Sequence, residues 1–462
     1  MIELKASEIA TIVDGKLKGA DVKVSAAPVF NSSLATPGCI FLALKGENTD
    51  GHNFISDAFS RGAVLAIVTS ECAETCIVVE DVIAALNKLA AHVRGLLRDL
   101  KVIALTGSQG KTTTKDLLLH ILETVGETVA PVGNFNNELG TPITLLQCDN
   151  RTKFCILEMG ARHLGDIALL CEMAKPDIGM VLRVGSAHIG EFGSADAVAK
   201  AKSEMISALA PGAIAILGQY DAYTPKMNAL HQGRVIFFGE TSDADIRATD
   251  IEIREGRPHF DLVTPAGRAA VGLRIVGSHQ VSNALAAAAA ATAVGASLDQ
   301  IAGALSTAEV QSKWRMEIQE VKGIVLINDS YNSSPESAAA ALRTLVLFAQ
   351  ERGGQSWAFL GKMHELGASS QASHADIGTL ASELGIDHLV CIASPEYASR
   401  LSANSATTVH IYETKEAAMH LTVEMSAGDV VLVKASRAEK FEDLADGINR
   451  LISEKIVLEQ ER

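Results

Sequence analysis

The segment VIALTGSQGKTTT (102–114) sets Gly107 and Gly110 just ahead of Lys111 and Thr112, between an apolar run that reads as a strand and a stretch that reads as a helix. This order suits a polyphosphate. Backbone N–H groups and a helix N-terminus cradle phosphate oxygens, a lysine adds a point charge, and a Ser or Thr hydroxyl reaches magnesium. Gly107, Ser108, Gln109, Gly110, Lys111, Thr112 and Thr113 are therefore candidate nucleotide contacts. The spacing is GxxGKT rather than GxxxxGKT, because position 105 is Leu. A tight strand-to-helix turn with a solvated lysine accounts for the glycines but not for the whole set in this order.

Glu158 follows the run FCIL, where a carboxylate emerges at the C-terminal edge of a parallel sheet near the phosphate loop. Magnesium takes such hard oxygen ligands; a glutamate capping the next turn is the competing explanation. His188 in VGSAHIGEFGS and His163 in EMGARHLGD each fit a metal or substrate contact, or a structural histidine. Lys202, in AVAKAKSEM, lies on a predicted helix beside Lys200 and Glu204. Spacing alone makes it a solvated helix-face lysine, since long charged side chains ordinarily stay exposed.

These residues need a scaffold, and its elements are legible. CIFLAL, LAIVTS and CIVVE within the first ~80 residues read as short strands of a small α/β unit. A helical pattern over 81–97 precedes VIALT (102–106); FCILEM (154–159), IGMVLRV (178–184) and AIAILG (213–218) then alternate with helical sequence, which predicts a mainly parallel sheet. An Ala-rich helix follows at 283–294. IVLIND (324–329), WAFLG (357–361), HLVCIA (388–393) and DVVLVKAS (429–436) predict a Rossmann-like third sheet without GxGxxG. The expectation is an α/β protein of three domains, at 1–80, 81–309 and 310–462.

Composition sets outer bounds. The 462 residues are 48% hydrophobic and 21% charged, as in globular proteins with sizeable cores. A net charge of -15 with no basic block argues against nucleic acid or an anionic membrane as partner. The longest apolar stretch, ALAAAAAATAV, is too short to span a bilayer, and the N-terminus lacks a basic region followed by an apolar run, so a cytoplasmic location is expected. Seven scattered cysteines without a CxxC pair read as reduced structural thiols.

Taken together, the strings TPGCIFLALKGENTDGHNF (36–54), LTGSQGKTTTK (105–115), GNFNNELGTPITLL (133–146), LEMGARHLGDI (157–167), AHIGEFGSADAVAKAKSE (187–204), GSHQVSNALAA (277–287), NDSYNSSPES (328–337) and KASR (434–437) resemble the Mur ligases over nearly the full length. The resemblance implies an ATP-dependent ligase that joins a carboxylate to an amine through an acyl phosphate. It makes Lys111, His188 and Lys202 catalytic, with Thr112, Glu158, His188 and Lys202 around two magnesium sites and Lys202 carried as a carbamate. It places His279, Asn283, Arg315 and Asp329 at ATP. Asn31, Ser32, Asn136, Asn137, His163, Asn332, Ser333, Lys434, Ser436 and Arg437 become substrate contacts.

Within the family, SYNSSPES suits the branch that adds D-alanyl-D-alanine to UDP-N-acetylmuramoyl-tripeptide in peptidoglycan synthesis, acting as a monomer. The DNPR string of the sister that adds meso-diaminopimelate is absent. The chain also departs from the family pattern. The nucleotide-recognition string DSR or DTR reads Asn31-Ser32-Ser33, KGSR reads KASR, the GDM-ELG segment reads Gly361-Lys362-Met363-His364-Glu365-Leu366-Gly367, and the paired Asp before SYN is Asn328-Asp329. A ligase adding a single amino acid and a nucleotide-binding regulator without turnover are the alternative readings.

Overall fold

A computed structural model describes the chain apart from residues 47–48, 134, 186–188, 310–312, 403–404 and 455–462. Three sheets carry the architecture, with a short antiparallel pair, Leu4–Lys5 and Lys23–Val24, beside the first.

The first sheet has four strands in the order Lys16–Lys18, Cys76–Val78, Leu65–Val68, Ile40–Leu42. The last three are parallel, and the first pairs antiparallel to Cys76–Val78. Helix Val82–Leu96 follows, opened by Asp81, whose carboxylate accepts the N–H groups of Ile83 and Ala84 at 2.7 and 3.0 Å. Its buried face packs on helices Gly140–Leu146 and Asp166–Ala174, so one apolar cluster runs from the first sheet into the second.

The second sheet has nine strands. Thr128–Val129, Phe154–Glu158, Lys101–Thr106, Ile178–Val181, Ile214–Gly218, Arg234–Gly239 and Ile246–Arg254 are parallel in that spatial order. Arg257–Thr264 and Gly267–Gly272 extend it antiparallel. The buried runs at 102–106 and 154–158 are near-continuously apolar because helices cover both faces. The Ala-rich helix, observed as Gln280–Ala293, packs closely on Lys111–Glu123. Sequence reading found no element between 219 and 282. Yet Arg257–Thr264 alternates buried and accessible residues with period two, the mark of an antiparallel strand with one wet face.

The third sheet runs Glu317–Val321, Ile324–Asn328, Val430–Lys434, Ser356–Leu360, His388–Ile392, Thr408–Tyr412, all parallel but the first. Among the described residues no helix is long and apolar enough to cross a membrane. All seven cysteines are free, and only Cys72 is not buried.

Register decides which side chains meet. Leu105 lies opposite Glu158 and Thr106 opposite Val181, so the phosphate loop and Glu158 leave adjacent strands at one sheet edge. Asn328 lies opposite Val433 and Leu360 opposite Lys434, which sends Asp329 and Lys434 off the matching edge of the third sheet.

Candidate active site

Gly110 caps helix Lys111–Glu123 at φ +81°, and a Cβ there would stand 2.3 Å from Asn283 Oδ1. Backbone conformation and space both require glycine. The Ser108 hydroxyl donates to the Gly185 carbonyl at 3.2 Å and accepts the Gly185 N–H at 2.8 Å, fixing the loop to the end of the neighbouring strand. Lys111 Nζ donates to the Gly107 carbonyl at 2.8 Å. Burial holds its ammonium below the ordinary lysine range, with the Glu158 carboxylate opposing that shift.

Glu158 is 1% exposed. Its Oε2 accepts the Thr112 hydroxyl at 3.1 Å and its Oε1 accepts Asn136 Nδ2 at 2.9 Å. Arg315 Nη2 donates to Thr112 Oγ1 at 3.1 Å, and its guanidinium lies 3.9 Å from the centre of the Tyr331 ring. A continuous chain therefore runs from the third domain through Thr112 to Glu158 and on to Asn136. Thr112 and Glu158 are hard oxygen donors of the kind magnesium selects. Among the described residues no three His, Cys, Asp or Glu side chains form a ready metal nest.

Lys202 corrects the expectation from spacing. It is 4% exposed, because helix Ala195–Ser207 turns Lys202, Met205 and Ile206 inward on the face that meets strand Ile178–Val181. Burial first, and then the neighbouring Lys111 charge, pull its pKa down from 10.5 to about 7. A lysine in that state is a mixture of ammonium and neutral amine at neutral pH, with the neutral share growing as pH rises. His188 lies outside the described residues.

His279 occupies the N-cap position of helix Gln280–Ala293, with Asn283 in its first turn. Burial lowers the His279 pKa to about 4, and its Nδ1 is buried without a hydrogen-bond partner. Asn283 Nδ2 donates to Gln280 Oε1 at 2.8 Å. The Asn283 amide thus stands against Gly110 of the phosphate loop, with a neutral imidazole at the start of the same helix.

On the third domain, Lys434 Nζ donates to Asp329 Oδ2 at 2.5 Å and to the Asn332 carbonyl at 2.9 Å, while Ser436 Oγ donates to the Ser333 carbonyl at 3.3 Å. Arg437 stacks on Trp314, with its guanidinium 4.4 Å from the ring centre. On the first domain, Asn31 Oδ1 caps the turn Ser32–Leu34, accepting the Ser33 N–H at 3.0 Å. Phe30 meets Phe135 edge to face at 6.2 Å, which brings this turn beside the loop that carries Asn136.

Two expected substrate contacts have local roles here. Asn137 Oδ1 accepts the Gly140 N–H at 3.0 Å at the start of the next helix. His163 is exposed, 3.9 Å from the Asp166 carboxylate, and among the described residues it joins none of the other candidates. Sequence reading missed the pairing of Asn136 with Glu158, the stacking role of Tyr331, and the bonds of Gln109 Nε2 to Ser334 Oγ at 3.2 Å and Glu336 Oε2 at 3.0 Å. Tyr331 and Glu336 both lie in NDSYNSSPES, but no local spacing points from them to the phosphate loop.

Comparison with known proteins agrees with this geometry. Residues 30–96 match the Mur ligase family catalytic domain, 105–291 the Mur ligase middle domain, and 314–437 the Mur ligase glutamate ligase domain. The UDP-N-acetylmuramoyl-tripeptide–D-alanyl-D-alanine ligase of Mycobacterium tuberculosis strain H37Rv is 37% identical, over 97% of this chain and 98% of its own. A crystal structure of MurF from Acinetobacter baumannii superposes with TM-score 0.87 at 32% identity, covering 97% of this chain and 99% of that one. MurF from Thermotoga maritima in complex with ADP gives TM-score 0.81 at 29% identity, covering 93% and 98%. With these likenesses spanning all three sheets, the chain belongs to the Mur ligase family.

Proposed function

We propose that the protein adds D-alanyl-D-alanine to UDP-N-acetylmuramoyl-tripeptide at the expense of ATP. Identity of 37% over 97% of the chain to a protein named for that reaction supports the choice of substrates. The chemistry rests on one observation: Thr112 of the phosphate loop is bonded both to buried Glu158 and to Arg315 of the third domain.

A carboxylate does not acylate an amine in neutral water, because oxide is too poor a leaving group. Transfer of the ATP γ-phosphoryl group to the tripeptide carboxylate gives an acyl phosphate and ADP. The free amine of the dipeptide then attacks the carbonyl, loses a proton, and phosphate leaves as the peptide bond forms. Lys111 and the amides of residues 107–112 oppose the phosphoryl charge, and Arg315 adds a cation from the other side. Neutral His279 and Asn283 face the nucleotide base, while Asp329 and Lys434 fix the 329–333 loop for the incoming dipeptide.

Thr112, Glu158, His188 and Lys202, the last carried as a carbamate, would hold magnesium at two sites, where it would supply charge neutralisation. The lowered pKa supports the carbamate: only a neutral amine attacks CO2, and the product is an anionic oxygen ligand. Asn31, Ser32, Asn136 and Asn137 would serve the muramoyl-peptide substrate. Asn332, Ser333, Ser436 and Arg437 would serve the dipeptide. The proposal includes division into units at 1–80, 81–309 and 310–462, and action as a cytoplasmic monomer.

The test is ADP release with UDP-N-acetylmuramoyl-tripeptide and ATP, comparing D-alanyl-D-alanine with single amino acids. Turnover restricted to the dipeptide is the expected result. Turnover with a single amino acid alone would overturn the assignment.

A further inference from the structure

The third sheet carries a second group of titratable side chains, at the edge away from the phosphate loop. His388 opens strand His388–Ile392, opposite Trp357 on one side and Thr408 on the other, while His410 lies on the edge strand opposite Val390. Asp329 and Lys434 leave the C-terminal ends of parallel strands, so His388, at an N-terminal end, faces the opposite rim.

The two imidazoles converge. His388 Nδ1 stands 3.2 Å from His410 Nε2, and both rings are only partly buried. Two nitrogens on one tetrahedral zinc ion, each about 2.0–2.1 Å from the metal, stand roughly 3.3 Å apart. The separation is that of a bis-imidazole metal site.

Surrounding contacts select the ligating form of His388. Its Nε2 lies 3.3 Å from Gln355 Oε1, an acceptor only, so the proton belongs on Nε2 and Nδ1, on the His410 side, keeps a lone pair free to ligate. A metal-bound histidine ordinarily gives its second N–H to such an oxygen, which fixes tautomer and ring plane. The His388 ring is further held by Trp357, stacked at 3.6 Å with 3° between planes, and the Trp357 indole N–H donates to Asp429 at 3.2 Å. Burial lowers the pKa of both histidines, most strongly among the causes acting on each, which favours the neutral rings a metal requires.

The charges nearby are mostly spoken for. Asp387 accepts Ser356 N–H and O–H at 2.8 Å, and Asp429 accepts the Gln355 N–H at 2.9 Å. Glu424, exposed, acts on both rings and opposes the downward shift, while His420 adds a like charge near His410.

We propose that His388 and His410 form a binding site for a borderline divalent transition metal of the zinc, nickel or copper class, distinct from the magnesium chemistry of the phosphate loop. Imidazole pairs favour these ions over magnesium, which prefers oxygen. Among the described residues no third His, Cys, Asp or Glu stands in ligating position, so solvent completes the coordination.

The test is calorimetric titration of the full-length protein with Zn2+ in the presence of excess Mg2+. One zinc per chain is expected, with affinity at least tenfold weaker in H388Q or H410Q and binding lost in the double variant. Ligase activity in Mg2+ alone, expected to be unchanged in all three, reports that they fold. Absence of zinc uptake by the unmodified protein, or undiminished uptake by the folded double variant, would overturn the site and leave a plain hydrogen bond between two histidines.

Discussion

The side-chain amide of Gln109 donates to Glu336 Oε2 at 3.0 Å, tying the tip of the phosphate loop to the first turn of helix Pro335–Arg352. A second bond, to Ser334 Oγ at 3.2 Å, meets the residue that caps that helix. Gln109 is thus a second direct contact of the nucleotide loop with the third domain, beside the bond of Thr112 to Arg315. Removing a hydrogen bond to a charged group costs about 1.5–3 kcal/mol. Gln109→Ala is expected to lower kcat about tenfold while leaving the KM for ATP within a factor of two or so, because backbone amides and Lys111 still hold the phosphates. A rise in ATP KM at unchanged kcat would show that Gln109 serves binding and not closure.

Lys202 has a folded-state pKa of about 7 against 10.5 for the free side chain. Between those values the unfolded chain binds more protons, so this group makes stability rise with pH across that window and costs most below it. The neutral amine needed for carbamylation grows in the same direction. Protein stripped of CO2 is expected to regain activity on addition of bicarbonate, more completely at pH 8 than at pH 6. Lys202→Ala is expected to lose activity on the order of 100-fold or more, as when one charge-stabilising group is removed. Indifference of the stripped enzyme to bicarbonate at both pH values would eliminate the carbamate.

The phosphate loop was readable because its chemistry is local: strand, glycines, Lys-Thr and helix follow one another within 13 residues. Glu158 was readable as a strand-end carboxylate, since a parallel sheet sends such residues to one edge. The burial of Lys202 was not, because it depends on which face of an alternating helix meets the sheet. Nor were the bonds of Asn136 to Glu158 and of Gln109 to Glu336, which span 22 and 227 residues. The strand at 257–264 carries a period-two signal, but charged, half-exposed residues across 251–261, as in IEIREGRPHFD, give the sequence the look of a loop.

Glu158→Gln keeps shape while removing charge, and its two oxygens separate two roles. Thr112 and Asn136 both donate into the carboxylate, so the amide variant also sets an N–H against one of these donors. Activity is expected to fall on the order of 100-fold or more at saturating magnesium. Asn136→Ala leaves the carboxylate charged but strips one partner from a buried oxygen, a loss of about 1–3 kcal/mol, and activity is expected to fall only about tenfold. Equal losses in the two variants would mean that Asn136, not the charge on Glu158, sets the rate.

Gly110 offers a test in which strain and contact come apart. At φ +81° an alanine pays roughly 1–2 kcal/mol for the left-handed backbone, and its Cβ would also sit 2.3 Å from Asn283 Oδ1. Gly110→Ala is therefore expected to lower the Tm and weaken ADP binding together. Asn283→Ala relieves the collision but leaves the backbone strain. The double variant should recover part of the stability lost in Gly110→Ala, giving a coupling between the two sites of about 0.5–3 kcal/mol in a double-mutant cycle. Strict additivity would mean that the helix carrying Asn283 withdraws from the loop in solution, and the adenine-side role assigned to Asn283 would fall with it.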